Sequence, residues 1–261
     1  MGGHIDLYLD IASLYSYIAL IQVMKTHNLL KQHGVEVDIH PFLLGAINAG
    51  SGNKPPWTLP AKAVYGTYDS QRSLRAVGLA NVSPPGDLME AGRTQVALRA
   101  LLYVKARFST AAYLAVWRAL LHAFWTLHKP PITPETLGHA LAGIPASAAS
   151  TASLASTSPP EVLGAGCKQE ERLFSAAEVA DILNAEKSPE YKNKLRETTQ
   201  RALDQGAYGA PWLWVTDATT GRSEPFFGSD RWSHVYAFLG LPYRDVELLP
   251  PGTGKGPEAK L

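Results

Sequence analysis

The sequence predicts an α/β fold whose sheet is formed by both ends of the chain around a helical middle. Two observations support this prediction. Residues 5–42 show a strand, helix and strand pattern, and residues 212–239 show a strand, strand and helix pattern. From residue 60 to residue 143 the pattern is helical, with long amphipathic or apolar segments and no strand signal between them.

The first 42 residues predict a β-α-β unit. Apolar and polar residues alternate over Ile5–Leu9 and again over Val35–Phe42, as they do in strands. Between these segments, apolar residues recur at helical spacing over Tyr15–Lys31. Gly34 is a favoured residue just beyond a helix end, so the helix is expected to stop there.

The middle of the chain predicts helices separated by proline-rich breaks. A turn-rich loop covers residues 49–56, and long helical patterns cover Arg93–Val104 and Thr110–Leu127. Thr133 followed by Pro134 is typical of an N-cap with proline in the first helical position. Residues 144–171 are rich in Ala, Ser, Thr and Pro, which predicts a disordered or loosely packed surface insertion.

The last third of the chain returns to strands after two more helices. The predicted elements are helices over 175–184 and 189–205, a turn over 206–211, strands over 212–216 and 223–227, and a helix over 232–239 that is opened by residues 228–231. This order is that of a thioredoxin-like fold interrupted by an all-helical insertion domain. We expect the thioredoxin-like domain over 1–57 and 205–248, the helical insertion over 58–204, and a flexible tail over 249–261.

Composition and charge exclude several classes of protein. The 261 residues are 46% hydrophobic and 18% charged, with a net charge of +1 and no basic stripe, so a nucleic-acid partner is not expected. No apolar run is long enough to span a bilayer, and the first ten residues have no basic leader before an apolar stretch. We therefore expect neither a membrane protein nor a secreted one.

Cysteine and histidine usage argue against disulfide and metal chemistry. Cys167 is the single cysteine, so no intrachain disulfide can form, and it is expected to be an exposed, idle thiol. The eight histidines lack the spacing of a ligand set, so no metal is expected.

The turn between the first strand and the first helix carries Ser13-Leu-Tyr-Ser16. Thioredoxin-like redox proteins carry Cys-x-x-Cys in this place, so disulfide oxidoreductase activity is excluded here. A hydroxyl at a helix N-terminus can still stabilise the thiolate of a bound small molecule. The alternative is that Ser13 is only an N-cap, which contributes roughly 1 kcal/mol relative to alanine.

Two further groups of polar residues lie in loops that the predicted fold would bring near Ser13. One is Ser51-Gly-Asn53-Lys54-Pro-Pro56, followed by Lys62; the other combines Gly-Ala-Pro211 with Gly-Ser-Asp230-Arg231. A thiol peptide needs an acid for its ammonium group, and lysine, amide or helix-terminal donors for its carboxylates. Each residue also has an ordinary structural role, in a turn or a helix start.

The sequence resembles the kappa-class glutathione S-transferases over about residues 5–243. These are relatives of the bacterial disulfide oxidoreductase DsbA and of the 2-hydroxychromene-2-carboxylate isomerases. The resemblance rests on Asp10-Ile-Ala-Ser-Leu-Tyr-Ser16, Ser51-Gly-Asn-Lys-Pro-Pro56 with Lys62, Lys192-Asn-Lys-Leu-Arg-Glu-Thr-Thr199, Gly206-Ala-Tyr-Gly-Ala-Pro211 and Phe227-Gly-Ser-Asp-Arg231. It implies a DsbA-like fold, glutathione as co-substrate and a homodimer.

By this resemblance, Ser13 activates the glutathione sulfur, and Leu14 and Tyr15 follow it in the family's Ser-Pro-Tyr position. Ala210, before a cis Pro211, gives main-chain hydrogen bonds to the cysteinyl part of glutathione. Two departures stand out: Leu14 replaces the usual proline, and Ala210 replaces a larger apolar residue that would cover the thiol.

The resemblance also assigns the residues that hold the two ends of the peptide. Asn53 binds the glycyl end, and Lys62 is its charge partner. Ser229 and Asp230 hold the γ-glutamyl group, whose ammonium needs an acid.

The expected activity is transfer of glutathione to a small electrophile, or reduction of a peroxide, by a thiolate that Ser13 and the helix N-terminus stabilise. One alternative is a glutathione-dependent isomerase of hydroxychromene carboxylates, which uses the same thiolate as a reversible nucleophile. The other is a glutathione-holding scaffold with little turnover. The sequence does not identify the electrophile.

The chain ends in Ala259-Lys260-Leu261, a conservative variant of the Ser-Lys-Leu peroxisomal address. We therefore expect a peroxisomal protein that is bound by an import receptor. Mitochondrion and cytoplasm are the alternatives, although the N-terminus lacks the Arg-rich amphipathic pattern of a mitochondrial import sequence.

Overall fold

The sheet is formed by the two ends of the chain, as the sequence predicts. The computed structural model describes residues 2–150, 171–244 and 246. The strands are β1 (Gly3–Leu9), β2 (Val35–Pro41), β3 (Trp212–Asp217) and β4 (Ser223–Phe227), and their order in the sheet is β2-β1-β3-β4. β1 is parallel to β2 and antiparallel to β3, and β4 is antiparallel to β3.

The described part of the chain contains ten α-helices. They are α1 (Leu14–Gln32), α2 (Leu44–Ser51), α3 (Pro60–Val77), α4 (Leu88–Ala91), α5 (Gln95–Arg107), α6 (Thr110–Trp125), α7 (Pro134–Ala142), α8 (Ala176–Ala185), α9 (Pro189–Asp204) and α10 (Trp232–Phe238). The predicted helices agree with these to within about three residues at each end. Among the described helices, none is both long and apolar enough to cross a membrane.

The two faces of the sheet are covered differently. Ile5 and Leu7 of β1 are fully buried in the main core, which also includes α1, α5 and α6. Tyr8 points to the opposite face because strand side chains alternate, and there it joins a smaller cluster with Ile47 of α2 and Ala202 of α9. Both faces are therefore packed, which fixes the ends of the strands where the loops begin.

The pairing of β1 with β3 determines where the candidate site forms. Tyr8 lies opposite Trp212 in this antiparallel pair. The chain that leaves β1 and the chain that enters β3 consequently meet at the same edge of the sheet. Ser13 and Ala210 are brought together by this register, although they are 197 residues apart in sequence.

The sequence-based prediction was wrong for α2, which begins before the predicted turn-rich loop. Its sequence contains Gly45 and Gly50, and its N-cap residue, Leu43, makes no side-chain capping bond. The cap comes from distant residues instead: the Leu43 amide donates to Thr199 Oγ1 (3.0 Å) and the Leu44 amide donates to Asp10 Oδ2 (2.7 Å). No local pattern could announce such a helix.

The prediction of a loose insertion over 144–171 was wrong for its first residues. Ile144 is 1% exposed, and Ala148 lies in a short 3₁₀ helix that is packed against the core. The Leu173 amide donates to the Ile144 carbonyl at 2.8 Å, so both flanks are joined. Residues 151–170, which include Cys167, and the tail 249–261 lie outside the described residues. The predicted domain boundaries stay a prediction.

Candidate active site

Ser13 lies at the start of α1 and has two hydrogen-bonding partners. Its Oγ accepts a hydrogen bond from the Ser16 amide (3.2 Å), which makes it the N-cap of the helix. The same hydroxyl donates to the Ala210 carbonyl at 3.0 Å, and the side chain is 7% exposed. Ser13 therefore caps α1 and also contacts the loop that contains Pro211, as the sequence predicts.

The predicted cis bond between Ala210 and Pro211 is present. The next loop is attached here, because the Gly228 amide donates to the Pro211 carbonyl at 3.2 Å. Gly228 has a φ of +104°, a backbone conformation that residues with a side chain rarely adopt, so glycine is favoured here. Ser229 is consequently held, buried, beside the proline.

Asp230 extends from this loop into solvent. Its Oδ2 accepts a hydrogen bond from Arg231 Nη1 at 2.5 Å, and both side chains are largely exposed. Arg231, not Ser229, is the N-cap residue of α10, and it makes no side-chain capping bond. The structural alternative for Ser229, a cap for the last helix, is therefore wrong.

The N-terminus of α1 has free donors for an anion. Among the described residues, the main-chain amides of Leu14 and Tyr15 have no acceptor, and the first turn of α1 contains no acidic side chain. Amides and dipole at a helix N-terminus attract negative charge. A thiolate beside Ser13 would therefore encounter a positive potential.

Asn53 reaches the same region from the other side, whereas Lys62 does not. The Asn53 side-chain amide donates to the Tyr208 carbonyl (2.6 Å), two residues before Ala210. Lys62 is exposed in the first turn of α3, and within the described part of the chain its ammonium has no partner. The fold thus joins Asn53 to the proline loop and leaves Lys62 free to move.

The hydroxyl of Tyr15 is hydrogen-bonded to the helical insertion. It donates to Asp69 of α3, whose other oxygen accepts from the Tyr65 hydroxyl at 3.3 Å. Burial and the Asp69 carboxylate raise the pKa of Tyr15, and the charge of Asp230 acts in the same direction. The Asp230 carboxylate therefore lies close enough to Tyr15 for its charge to affect the hydroxyl. Asp69 was not predicted, because nothing local in α3 indicates a partner on α1.

Asp10 is a second unpredicted residue, although it belongs to the motif that ends at Ser16. Its side chain is fully buried directly after β1, and burial raises its pKa to about 6 against the pull of several hydrogen-bond donors. The carbonyl of Ile11, the residue after Asp10, accepts a hydrogen bond from the indole of Trp125 in the helical insertion at 2.8 Å. A carboxyl group in the short turn between a strand and a helix was the available signal.

A separate cluster on β1 and β2 has the composition of a metal site. Asp6, Asp38 and His40 place ligand atoms within 4.8 Å of one another. However, His40 Nδ1 faces Lys105 Nζ (3.3 Å) and Arg201 Nη2 (3.1 Å), which can only donate. His40 Nε2 therefore carries the proton that it donates to Asp6 at 2.6 Å. This geometry fits an ion-pair network better than a ligand set, and the predicted absence of metal stays a prediction.

Comparison with known proteins agrees with the motif resemblance over most of the chain. Glutathione S-transferase kappa 1 of Caenorhabditis elegans is 28% identical over 240 residues, which cover 91% of each chain. Glutathione S-transferase kappa 1 of Homo sapiens is 28% identical over 244 residues, which cover 90% of each chain. The resemblance to the kappa class is thus confirmed.

Two solved structures share the fold. A 2-hydroxychromene-2-carboxylate isomerase superposes with a TM-score of 0.62 at 18% identity, covering 91% of this chain and 94% of its own. A probable DsbA oxidoreductase from Streptomyces coelicolor superposes with a TM-score of 0.56 at 17% identity, covering 98% and 97%. The family model for the DSBA-like thioredoxin domain matches residues 4–158. The chain belongs to the DSBA-like thioredoxin domain family.

Proposed function

We propose that the protein is a glutathione transferase in which Ser13 stabilises the thiolate of bound glutathione. The observation that carries the proposal is the Ser13 hydroxyl, which lies at the N-terminus of α1 and faces the Ala210 carbonyl before a cis-proline. The relatives named glutathione S-transferase kappa, which match about nine-tenths of the chain, support the same enzyme class.

Ser13 and Ala210 exchange partners when glutathione binds. The Ser13 hydroxyl has one proton, which it now donates to the Ala210 carbonyl. The cysteinyl N–H of glutathione replaces that donor at the carbonyl, and the Ser13 proton turns to the sulfur. The Ala210 amide, which has no acceptor among the described residues, is free for the cysteinyl carbonyl.

Ser13 and the start of α1 lower the pKa of the bound thiol, and the thiolate is the nucleophile that glutathione supplies. A free thiol of this kind has a pKa of about 8.5, and each unit of lowering corresponds to about 1.36 kcal/mol. One hydrogen bond to an anion and a helix N-terminus supply stabilisation of this size. Since Tyr15 donates to Asp69, Ser13 is the side-chain donor that remains for the sulfur.

The two ends of glutathione are held by residues of the surrounding loops and of the start of α3. Asp230 and the Ser229 hydroxyl bind the γ-glutamyl group, and Asp230 exchanges Arg231 for the ammonium. Asn53 and Lys62 bind the glycyl carboxylate. Leu14 and Tyr15 contribute their main-chain amides. These assignments leave the walls of the electrophile site to two exposed aromatic residues, Trp57 and Tyr65.

Three measurements on the purified protein test the proposal. They are glutathione binding by calorimetry, the thiolate absorbance of the complex against pH, and turnover with a chlorodinitrobenzene-type electrophile beside isomerisation of a hydroxychromene carboxylate. Binding with a lowered thiol pKa and conjugation supports the transferase. Isomerisation without conjugation replaces it with the isomerase. Binding with the solution pKa and no turnover indicates a scaffold, and absence of binding overturns the proposal.

We also propose that the protein is a homodimer. An exposed apolar stretch that begins just before α3 and continues along it offers a surface for a second copy: Leu59, Val64 and Tyr68. Light scattering of the wild type and of the Leu59→Glu/Val64→Glu variant tests this. A wild-type dimer that dissociates in the variant supports the surface, and a wild-type monomer removes the proposal.

Peroxisomal import is proposed from the sequence Ala259-Lys260-Leu261, which lies outside the described residues. A fluorescent protein fused before residue 1 tests it in cells. Punctate signal that is lost on removing Leu261 supports import by the receptor that reads such tripeptides. Diffuse signal from the intact fusion overturns it.

A further inference from the structure

The buried carboxylate of Asp10 is surrounded by hydrogen-bond donors from three parts of the chain. Its Oδ1 accepts from the Ala12 amide (3.0 Å) and from Thr94 Oγ1 (2.8 Å). Its Oδ2 accepts from the Leu44 amide at 2.7 Å. Asp10 and Thr94 are both 0% exposed, so water cannot replace any of these bonds. Removing one partner would leave a buried polar group unpaired.

Three helix N-termini converge on this carboxylate. Ala12 directly precedes Ser13, the cap of α1; Leu44 is the first residue of α2; and Thr94 is the N-cap residue of α5. The cap residues of α2 and α5 make no side-chain capping bond of their own. Asp10 supplies an acceptor for the first amide of α2 and binds the side-chain hydroxyl of the α5 cap residue, and its negative charge is favoured at helix N-termini.

The main chain of Asp10 also supports the turn that carries Ser13. The Ser13 amide donates to the Asp10 carbonyl (3.1 Å), and the Asp10 amide donates to the Ser16 hydroxyl (3.3 Å). Ser16 in turn donates its amide to Ser13 Oγ at 3.2 Å. A movement of Asp10 would therefore be transmitted to the hydroxyl that faces the sulfur.

The same carboxylate is connected to the other end of the proposed glutathione site. α2, whose first amide binds Asp10, ends at Ser51, and the C-cap residue Gly52 and then Asn53 follow. Asn53 is bonded to the Tyr208 carbonyl, in the loop that leads to Ala210. Asp10 is thus hydrogen-bonded both to the turn that begins α1 and to the first residue of α2, the helix that precedes the Asn53 loop.

We propose that Asp10, held by Thr94 of the helical insertion, is a positioning residue that sets the Ser13 hydroxyl and the Asn53 loop in one arrangement for glutathione. The inference rests on the proposed function and deepens it. Because both ends are connected to one carboxylate, a change at Asp10 or Thr94 should alter the pKa of the bound thiol and the affinity for glutathione together. A purely structural role would lower only the stability.

The test compares Asp10→Asn, Thr94→Val and Thr94→Ser with the wild type. Asparagine turns an N–H₂ group towards a donor, so we expect kcat/KM to fall between about 10- and 100-fold, with a higher KM for glutathione and a raised thiol pKa. Thr94→Val removes one of three donors, and we expect a loss of about 3- to 10-fold. Thr94→Ser keeps the hydroxyl and should restore wild-type values for both quantities.

Tyr113→Phe is the matched control for stability. It removes another buried bond from the insertion to the sheet, between the Tyr113 hydroxyl and the Ile39 carbonyl (2.9 Å), away from Ser13. Calorimetric affinity, thiolate absorbance against pH, kcat, KM and thermal unfolding are measured for every variant. We expect Tyr113→Phe to lower the unfolding temperature while leaving the thiol pKa and the glutathione affinity unchanged.

The outcomes separate the inference from the proposed function. If the wild type binds glutathione and Thr94→Val lowers only the unfolding temperature, as Tyr113→Phe does, Asp10 is structural and the inference is overturned while the function stands. If the wild type binds no glutathione, both are overturned. If Asp10→Asn fails to fold, Thr94→Val and Thr94→Ser still test the inference. The inference requires that the thiol pKa is raised in Thr94→Val and returns to the wild-type value in Thr94→Ser.

Discussion

At the sulfur end of the proposed site the groups are buried and fixed, whereas at the charged end they are exposed and loosely held. Ser13 and Ala210 are buried and hydrogen-bonded to each other, above the buried Asp10 carboxylate. Lys62 and Asp230 lie in solvent, one without a partner among the described residues and the other paired with its neighbour Arg231.

This difference indicates a division of labour. Stabilising a thiolate requires donors that do not reorganise during the reaction, which a buried and hydrogen-bonded arrangement supplies. Holding the ends of a flexible peptide requires only modest attraction, because exposed charges contribute little each. Changes at the buried end should therefore alter chemistry, and changes at the exposed end should alter affinity.

Ser13→Ala, a change at the buried end of the site, is expected to have the largest effect. Loss of a donor to a developing or bound anion typically reduces turnover about 10²- to 10³-fold, and we expect this in kcat with a smaller effect on glutathione affinity. The thiol pKa of the complex should rise, which thiolate absorbance against pH measures. The lost cap should also reduce stability by about 1 kcal/mol.

Ser13→Thr is the control, because it keeps both the hydroxyl and the cap. Partial or full recovery of the thiol pKa assigns the effect to the hydroxyl. If Ser13→Ala leaves the rate and the pKa unchanged, Ser13 acts only as a cap and the division between the two ends fails.

The pH dependence of stability should report the charge that is buried below Ser13. Burial raises the pKa of Asp10 from 3.8 to about 6. The folded protein then binds more protons than the unfolded chain between these values, so this contribution to stability is present below pH 3.8 and is lost as pH rises through 6. A shift of about two units corresponds to about 3 kcal/mol.

The measurement is urea unfolding of the wild type and Asp10→Asn between pH 4 and pH 7.5. Other titrating groups cancel in the difference between the two proteins. We expect the wild type to lose stability relative to the variant across this range. Parallel curves would mean that the pKa of Asp10 is the same in the folded and the unfolded protein, so that burial does not disfavour its charge.

Asp230 tests the exposed end. Asp230→Asn should raise the KM for glutathione about 2- to 5-fold and leave kcat nearly unchanged, because an exposed ion pair contributes equally to ground and transition states. Arg231→Gln should have the opposite effect, since it frees the carboxylate that Arg231 now occupies. Calorimetry with both variants measures this. Equal glutathione affinity in all three proteins would remove Asp230 from the site.

Local patterns in the sequence were sufficient for most of the fold. Alternation over Ile5–Leu9, helical spacing in α1 and the cap at Thr133 are each contained in a short run of consecutive residues, and all were predicted. The short helix α2 was missed because Asp10 and Thr199 cap it from afar. Tertiary bonds of this kind leave no local signature.

The candidate site divides in the same way. Ser13, Ala210 and Pro211 were predicted, because the β-α-β start and the family motifs place them at one edge of the sheet. Their supports were not: Thr94 binds Asp10 across 84 residues, and Asp69 binds Tyr15 across 54. Such pairs depend on how the helical insertion docks, which no spacing within either segment encodes.

The smallest expected effect is at Lys62, and Lys54 provides a matched control. Both lysines are exposed, and neither has an ion-pair or hydrogen-bond partner among the described residues. Lys62→Gln should raise the KM for glutathione about 2-fold at low salt, an effect that 0.5 M salt should abolish because exposed charges are screened. Lys54→Gln should show less change. If both lysines contribute equally, the attraction at the exposed end is a diffuse charge and Lys62 has no specific contact. If Lys62→Gln still raises the KM for glutathione at high salt, Lys62 makes a specific contact, and the exposed end is held as rigidly as the sulfur end.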